Sequence, residues 1–506
     1  MSMLRARFLL LGALAVLATS ALAAASTLGA PPASRTAGRA VPAAGIPLAL
    51  TSAAPVTADQ SLYLPLIAAP RAHGPTRVTT TTITIPTHVY EPALSSVYVP
   101  AYNMSYPRLD RSRYDPAAVE NRDYTLVNLE NDYLALSLMP QLGGRIYQVV
   151  DKTSGNHLFY QNPVIKPSPW GPAEMGWWLA VGGVEWCLPV EEHGYEWGVP
   201  WGYQITTDAG GATVTLWDTQ ASDRLRAHIA VSLRDDEALF HIAPAIENPT
   251  AQPIDFKFWL NAMLDPGTAN APSANLRFIM PADQATVHST GDPRLPGAGQ
   301  GLSWPVYNGV DWSRLGNWRQ WFGFFQRPQA SGGFQAVYDE SSDAGVVRTY
   351  DGSVATGAKF FGFGWSQAIP PSNYTDDDSA YVEMHGGVAP TFADSRQLGA
   401  GQSLTWEERW YPVAHLGGLT WANANVALRV HSGGGQTVLS VVTNRDAADV
   451  HVMLLRRAGS AVLFDQPIAL LGAGQVYQSP PISTPGLGGA DVAVQVTSGG
   501  ILLGEY

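Results

Sequence analysis

The segment 182–197 combines acidic, imidazole and aromatic side chains at close spacing. Its candidate site residues are Glu185, Trp186, Glu192 and His193. A carboxylate and an imidazole can move protons near neutral pH, and aromatic faces can stack on sugar rings. The glycines at the start of the segment could let a ligand approach the backbone closely. This composition predicts part of a proton-transferring site.

A second candidate is the carboxylate of Glu383, which precedes His385 by two residues in a predicted strand. Side chains alternate along a strand, so Glu383 and His385 share one face, while Val382 and Met384 share the other. If Val382 and Met384 face the core, the two polar side chains face a cleft or solvent. The pair fits an acid/base element, and a solvated sheet face is the alternative interpretation.

Two further residues have side chains that could bind a sugar. Arg145 follows a Gly-Gly pair, and a fixed guanidinium can hold two hydroxyls, although an ordinary salt bridge is the alternative. Trp318 belongs to the densest aromatic run, 304–325, which could form a sugar platform. Packing in the core is the alternative for more than half of that run.

Composition argues against several classes of partner and cofactor. The net charge of −12 argues against nucleic acid and against an anionic membrane surface. The single cysteine, Cys187, is interpreted as a small buried hydrophobe. The chain has no zinc-ligand spacing, phosphate-binding loop or dinucleotide fingerprint, and the acidic segment 374–378 is interpreted as a turn rather than a calcium loop. We therefore expect no cofactor and no metal.

The first residues carry the features of a secretory signal. Arg5 and Arg7 precede a short apolar core, and 21–23 form a small-x-small cleavage site. Residues 1–23 are therefore predicted to be a cleaved signal peptide, which places the mature protein outside the cytoplasm without a membrane span. Residues 24–77 are rich in Ala, Pro, Ser and Thr and are predicted to be a linker.

The rest of the chain shows a hydrophobic period of two and no long stretch with a period of 3.6. Its 50 Gly, 38 Pro and 16 Trp are typical of short strands and turns. We predict an all-β protein, with a large antiparallel β-sandwich at 78–414 and a small immunoglobulin-like β-sandwich at 415–506. The strands predicted for the first are 78–86, 124–129, 133–139, 145–150, 225–234, 238–246, 256–263, 333–338, 345–350, 359–365, 381–385 and 403–411.

Several motifs, in order along 121–413, resemble those of the galactose-mutarotase-like superfamily. The chain is most similar to an uncharacterised family within it that is often fused to tetratricopeptide repeats. The motifs are Leu142-Gly143-Gly144-Arg145-Ile146-Tyr147, Leu158-Phe159-Tyr160-Gln161-Asn162-Pro163, Gly182-Gly183-Val184-Glu185-Trp186, Tyr381-Val382-Glu383 and Trp406-Glu407-Glu408-Arg409-Trp410-Tyr411-Pro412-Val413.

This resemblance implies a β-supersandwich with a sugar-binding cleft on one sheet. In mutarotases a carboxylate base takes the anomeric hydroxyl proton while a histidine acid protonates the ring oxygen. By position, Glu383 resembles the base, His193 the supporting histidine and Arg145 the substrate-orienting arginine. The position of the acid holds Asn261, whose neutral amide cannot supply a proton. Either His193 or His385 then takes over that task, or the protein does not epimerise.

Three hypotheses follow for an exported protein that takes a mono- or oligosaccharide. The first is a mutarotase-like enzyme in which Glu383 is the base and His193 the acid. The second is a glycoside hydrolase or polysaccharide lyase that pairs Glu383 with Glu185 or Glu192. The third is a non-catalytic glycan-binding protein. The substrate-binding residues predicted with them are Arg145, Glu185, Trp186, Glu192, Asn261, His385 and Trp318.

Overall fold

The computed structural model describes residues 73–506 except Ala173 and Ala330. The predicted signal peptide at 1–23 and most of the predicted linker at 24–77 lie outside the described residues. No helix in the described part is both long and apolar enough to cross a membrane.

The described residues form strands joined by turns and short 3₁₀ segments. In chain order the strands are β1 (Arg77–His88), β2 (Leu94–Val99), β3 (Met104–Leu109), β4 (Val119–Glu130), β5 (Leu134–Met139), β6 (Arg145–Asp151), β7 (His157–Phe159), β8 (Gln161–Ser168), β9 (Trp178–Gly182), β10 (Val184–Cys187), β11 (Gly202–Asp208), β12 (Gly211–Trp217), β13 (Arg226–Arg234), β14 (Phe240–Glu247), β15 (Ile254–Phe256), β16 (Trp259–Gly267), β17 (Leu276–Ile279), β18 (Gln284–Thr290), β19 (Gly301–Ser303), β20 (Val306–Tyr307), β21 (Val310–Asp311), β22 (Phe322–Arg327), β23 (Phe334–Asp339), β24 (Ala344–Tyr350), β25 (Gly357–Gly362), β26 (Val382–Gly387), β27 (Arg396–Leu398), β28 (Ser403–Thr405), β29 (Glu408–Ala414), β30 (Trp421–Ala422), β31 (Val426–Gly433), β32 (Gln436–Thr443), β33 (Ala447–Arg456), β34 (Val462–Leu471), β35 (Val476–Gln478), β36 (Ile482–Ser483), β37 (Val492–Ser498) and β38 (Ile501–Glu505). The 3₁₀ segments are Glu91–Ala93, Leu315–Asn317, Ser331–Gly333, Pro371–Asn373 and Gly489–Asp491.

Two sheets form the main sandwich. The larger has 14 strands in the order β19-β18-β22-β25-β26-β16-β10-β6-β5-β4-β1-β8-β9, with β7 paired to β16 and β6. The smaller has 9 strands in the order β11-β12-β13-β14-β29-β24-β23-β17, with β28 paired to β14. Paired strands such as β16 and β26 run antiparallel, whereas β1 and β8 are parallel. The all-β sandwich predicted from the alternation is confirmed.

The two sheets pack face to face because their strands present apolar side chains at every second position. In β13, Ala227, Ile229, Val231 and Leu233 are buried, and the polar residues between them are partly exposed. These four residues belong to the hydrophobic core that both sheets share. Burying a Val, Leu or Ile side chain contributes about 1.5–3 kcal/mol, so burial can supply the stability of a chain that has only one cysteine.

The middle strands of the larger sheet are covered on their second face as well. Strand β16 is buried along its whole length, Trp259–Gly267. Its residues Leu260 and Ala262 face the sandwich core, whereas Met263 joins a second apolar cluster that includes Trp178. This second face carries the candidate site described below.

Strands β30 to β38 form two smaller sheets at the C-terminal end. One has the order β30-β31-β32-β35 with β36 paired to β32, and the other has the order β34-β33-β37-β38. They enclose a separate core that includes Leu428, Leu439 and Val450. A further cluster joins Tyr411 of β29 to Val442 of β32, so the C-terminal sheets pack against the smaller sheet of the main sandwich.

A buried ion pair lies between the two sheets of the main sandwich. Arg348 Nε and Nη2 each donate to a carboxylate oxygen of Glu408 at 2.7 Å, and Nη1 donates to Gln335 Oε1 at 2.6 Å. Neither charged side chain is more than 1% exposed. A Cβ atom at Gly386, on the facing sheet, would lie 2.1 Å from this guanidinium. Glycine at that position therefore leaves the space that the arginine occupies.

We expect Glu408→Gln to lower the free energy of unfolding by about 3–5 kcal/mol, because Arg348 would stay buried without its counter-charge. Urea unfolding followed by tryptophan fluorescence measures this loss. The control is Arg409→Gln on the same strand, which breaks a pair with Glu407 whose side chains are 44% and 47% exposed. That change should cost less than about 1 kcal/mol. Equal losses in the two variants would contradict the assigned role of the buried pair.

Candidate functional site

Four polar side chains form a row across the second face of the larger sheet. Strand pairing places Lys359 opposite His385, His385 opposite Asn261, and Asn261 opposite Glu185. These residues lie on four adjacent strands, β25, β26, β16 and β10. Their sequence neighbours, such as Met384, belong to the sandwich core, so the row faces away from that core. The predicted shared face of Glu383 and His385 is confirmed.

Glu185 is the most heavily bonded member of the row. Its Oε1 lies 2.5 Å from His193 Nδ1 and accepts from Asn261 Nδ2 at 3.3 Å. Its Oε2 accepts from Trp178 Nε1 at 3.1 Å and lies 3.7 Å from Arg145 Nη2. The residue is 1% exposed. These contacts give both oxygens of the buried carboxylate a partner, and they fix the position of the His193 ring.

Glu383, His385 and Lys359 form a second bonded group. His385 Nε2 lies 3.0 Å from Glu383 Oε2 and 3.2 Å from Lys359 Nζ. Burial lowers the pKa of Lys359, and the carboxylates of Glu192 and Glu383 oppose that change. Burial, followed by the nearby Lys359 charge, holds the pKa of His385 well below its usual value. His385 is therefore neutral near pH 7, and its Nδ1 has no hydrogen-bond partner among the described residues.

Both groups lie at or beneath one cavity of about 550 Å³. This volume falls in the range typical of small-molecule sites. The acidic and basic side chains at its wall are Glu192, His193, His288, Lys359 and Glu383. The aromatic side chains at its wall are Trp170, Trp178, Trp321, Phe361, Phe363 and Tyr381. Aromatic walls with a few convergent polar groups suit a ligand with both apolar ring faces and hydroxyls.

The structure brings most of the predicted site residues together in two layers. Glu383, His193 and Glu192 line the cavity. His385 is buried beneath it and bonds to Glu383, and Asn261 is buried beside Glu185. The predicted substrate contacts of Glu185, Asn261 and His385 are therefore replaced by contacts within the protein.

Arg145, predicted to contact substrate, is fully buried and lies away from the cavity wall. Its guanidinium donates to the backbone oxygens of Leu142, Gly182 and Trp197 at 2.8–3.0 Å. These bonds tie three chain segments together behind Glu185. In this arrangement Arg145 positions the site and does not touch the ligand space.

Two tryptophans predicted to bind substrate lie in the sandwich core instead. Trp186 follows Glu185 in the strand, so it points to the opposite face of the sheet and donates from Nε1 to Gly144 O at 2.9 Å. Trp318 is 0% exposed and stacks on Phe278 with a centroid distance of 4.7 Å. Trp321, in the same aromatic run, lines the cavity.

The glycines that open the 182–197 segment serve backbone packing. A Cβ atom at Gly182 would lie 2.2 Å from Tyr160 O, and one at Gly183 would lie 2.0 Å from Ile146 O. Both glycines have positive φ angles, +104° and +75°. The expected close approach here is therefore between two parts of the chain and not between the chain and a ligand.

Neither Lys359 nor His288 was predicted from the sequence as a site residue. The signal for Lys359 was a single lysine within the apolar strand segment 358–361. A charged side chain that is buried in such a strand requires a partner. His288 lies on β18, and its Nε2 is 3.4 Å from Glu192 Oε1. No local pattern marks His288, because its place beside Glu192 depends on the pairing of distant strands.

Groups that could hold a metal ion are absent from the described ranges, where no three His, Cys, Asp or Glu side chains cluster suitably. In the predicted acidic turn at 374–378, Asp376 bonds to His88 and Lys166. Asp377 bonds to Thr375, a residue of the same turn. These carboxylates are therefore engaged within the protein.

Comparison with solved structures identifies the class of fold. The chain is similar to a TPR-domain containing protein from Parabacteroides distasonis, with 20% sequence identity and a TM-score of 0.56 over 67% of this chain and 56% of that chain. It is also similar to a galactose mutarotase-like protein from Clostridium acetobutylicum, with 12% identity and a TM-score of 0.42 over 57% of this chain and 96% of that chain. The likeness to the Parabacteroides protein shows a shared fold over 67% of this chain, which is the all-β sandwich described above. Proteins described as galactose mutarotase-like, the class that the motifs resemble, are also among the similar solved structures.

The family is identified by its sequence model. The model of a domain of unknown function, DUF5107, matches residues 100–413, more than half of the chain. The chain therefore belongs to the DUF5107 family. It spans 56% of the length of the Parabacteroides protein.

The two tryptophans Trp318 and Trp321 allow a direct test of these placements. Trp318→Ala should lower the free energy of unfolding by about 3–5 kcal/mol, because it empties a fully buried volume in the core. Trp321→Ala removes a side chain from the cavity wall and should cost about 1 kcal/mol. Denaturant unfolding of both variants checks the difference. If the Trp321 variant lost as much stability as the Trp318 variant, the assignment of the two rings would be wrong.

Proposed function

We propose that this protein binds a carbohydrate in the 550 Å³ cavity and carries out mutarotase-like acid/base chemistry at the anomeric carbon of an aldose or a glycan end. The observation that carries the proposal is that Glu383 and His193 line the same aromatic-walled cavity. A carboxylate that faces the ligand space can take a proton from a sugar hydroxyl, and an imidazole at the same wall can bind a second hydroxyl of that sugar. The galactose-mutarotase-like fold supports this interpretation as an analogy.

Glu383 is assigned as the base that takes the anomeric hydroxyl proton. The residue is 6% exposed, and its Oε2 is held by His385 Nε2 at 3.0 Å. Its other carboxylate oxygen is then available to a ligand in the cavity. A carboxylate fixed on a strand loses little orientational freedom when it reacts, which favours proton transfer.

His193 is assigned as a group that binds a sugar hydroxyl. Glu185 Oε1 engages its Nδ1 at 2.5 Å, and its ring stacks on Trp178 with a centroid distance of 4.1 Å. The imidazole is thereby fixed from one edge and one face, so Nε2 is the nitrogen that remains for a ligand. The carboxylate partner also sets which nitrogen carries a proton.

Glycan cleavage is the second candidate, and one observation favours it. Glu192 lines the cavity together with Glu383, so two carboxylates face the ligand space. Glu185 does not suit this role, because it is buried and bonded on both oxygens. A hydrolase with carboxylates about 5 Å apart would retain, and one with carboxylates about 6.5–9.5 Å apart would invert, the anomeric configuration.

Glu383→Gln should lower kcat by about 10²–10⁴-fold, because the amide cannot accept the anomeric proton, while sugar affinity changes little. Polarimetry on fresh α-galactose and α-glucose measures the mutarotation rate, and calorimetric titration measures binding. The matched control is Glu407→Gln, a carboxylate that is 47% exposed and lies just before β29.

Each result separates the candidate functions. Full turnover by the Glu383 variant would exclude it as the base. If the protein released reducing ends from polysaccharides and did not accelerate anomer exchange, the result would favour cleavage by Glu383 and Glu192. Saturable binding with neither reaction would show a non-catalytic glycan-binding protein.

We also propose that the protein acts outside the cytoplasm, on the strength of the features at 1–23. Expression of the full chain in a bacterial host should yield a product that begins at Ala24, and intact-mass measurement checks the loss of the first residues. Leu10→Arg with Leu14→Arg interrupts the apolar core and should block processing. Full-length wild-type protein retained in the cytosol would contradict export.

A further inference from the structure

The proposed reaction lacks an obvious proton donor for the ring oxygen. The expected position of the acid holds Asn261, which is 0% exposed and carries no exchangeable acidic proton. We infer that Lys359 donates this proton, as a catalytic residue that the sequence did not indicate. The inference rests on the proposed function and specifies the missing half of its acid/base pair.

The first support is the position of the Lys359 side chain. Lys359 is 2% exposed, yet it lines the same cavity as Glu383. A lysine inside a sheet would ordinarily extend to solvent, because burying an ammonium group is costly. Here its Nζ ends between the aromatic rings of Phe361 and Phe392, 5.4 Å and 4.4 Å from their centroids. The ammonium group is thus held at the ligand space and shielded from bulk water.

The second support is its connection to the base. His385 Nε2 lies within bonding distance of both Lys359 Nζ, at 3.2 Å, and Glu383 Oε2, at 3.0 Å. This nitrogen carries either a proton, which it can donate to Glu383, or a lone pair, which can accept from Lys359. It can therefore bond to only one of these partners at a time. His385 therefore connects the proposed acid, Lys359, to the proposed base, Glu383, through a single nitrogen.

Burial makes the ammonium group of Lys359 more acidic than that of an ordinary lysine. Burial lowers its pKa, whereas the negative charges of nearby groups oppose the change. The titratable groups that face it from the packed elements are Glu383 and His385 on β26, His288 on β18, Cys187 on β10 and Glu192 in the loop after β10. A donor whose pKa lies nearer to the working pH transfers its proton more readily than an ordinary lysine does.

The reaction balances with these two groups alone. As the bond between C1 and the ring oxygen breaks, its electron pair takes a proton from the Lys359 ammonium group. Glu383 takes the proton of the anomeric hydroxyl, and those electrons form the carbonyl of the open-chain aldehyde. Rotation about C1–C2 and the reverse transfers close the ring as the other anomer. Lys359 and Glu383 end in their starting protonation states.

The two histidines fit the donor role less well. His385 is 1% exposed and lies behind Glu383 and Lys359, so it does not reach the ligand space. His193 reaches the cavity, but Glu185 engages its Nδ1, so the remaining nitrogen, Nε2, serves the sugar hydroxyl assigned to it above. Among the described residues, Lys359 is the one lysine or arginine that lines this cavity.

The test compares Lys359→Met, which removes the charge, with Lys359→Arg, which keeps the charge but cannot release a proton near neutral pH. Both should lower kcat for galactose mutarotation by about 10²–10⁴-fold with a smaller change in KM. The control is Lys152→Met, a 31% exposed lysine paired with Glu130, which should leave kcat unchanged. Urea unfolding and calorimetric galactose titration confirm that the variants fold and bind.

The pH profile provides a readout that a structural lysine would not move. In the wild type, kcat should fall as the pH rises through the pKa of Lys359. Because that pKa is lowered, the fall should occur below the ordinary lysine pKa of about 10.4. Lys359→Cys in a Cys187→Ala background, alkylated with 2-bromoethylamine, restores an amine that is more acidic than lysine. This protein should regain activity, and its basic limb should move to lower pH.

Each outcome supports or overturns a separate statement. A wild type without anomer exchange on any tested sugar would overturn the proposed function and this inference with it. An active wild type matched by Lys359→Met would overturn the inference alone. Full activity of Lys359→Arg would show that only the positive charge matters. If the fall of kcat at high pH disappeared in His193→Gln and persisted in Lys359→Met, the proton donor would be His193.

Discussion

The compensation of buried charge is the constraint on which the rest of the structure depends. Ionised groups in the interior are tolerated only when they are paired and hydrogen-bonded. Glu408 is paired with Arg348 inside the sandwich, and Glu185 is paired with His193 and Arg145 on the other face of the larger sheet. The contacts of Glu408 with Arg348 and of Glu185 with Arg145 join strands that are distant in sequence. Their requirement for partners therefore helps to select the strand register, beyond what apolar packing alone would specify.

The same compensation divides the site into two layers with different tasks. The lower layer, which includes Arg145 and Glu185, is bonded within the protein and holds the upper layer in place. The upper layer, which includes Glu383 and His193, faces the cavity. Reactive side chains need such support, because a site held loosely loses much of the advantage of a fixed geometry. The strands, and not the loops, carry most of this support.

The period of two in the sequence predicted many of the strands and the shared face of Glu383 and His385, but it missed others, including β9 to β12, β18 and β22. Sequence could not show which face of the larger sheet each strand presents to the cavity, because that depends on pairing between distant strands. Trp318 was thus expected at a sugar platform and lies in the core. Lys359 was overlooked, because its neighbours on both sides of the strand are apolar and its polar partners come from other strands.

Asn261 illustrates why the placement of charge matters more than the presence of any one residue. It separates two bonded groups, Glu185 with its partners on one side and Glu383 with His385 and Lys359 on the other. A protonated histidine at this position would add a positive charge beside His385, whose surroundings already disfavour protonation. A neutral amide avoids that repulsion, and the proposed proton donor, Lys359, lies instead at the end of the row. The amide is therefore consistent with a redistributed acid/base pair, and its presence alone does not indicate a site that has lost its chemistry.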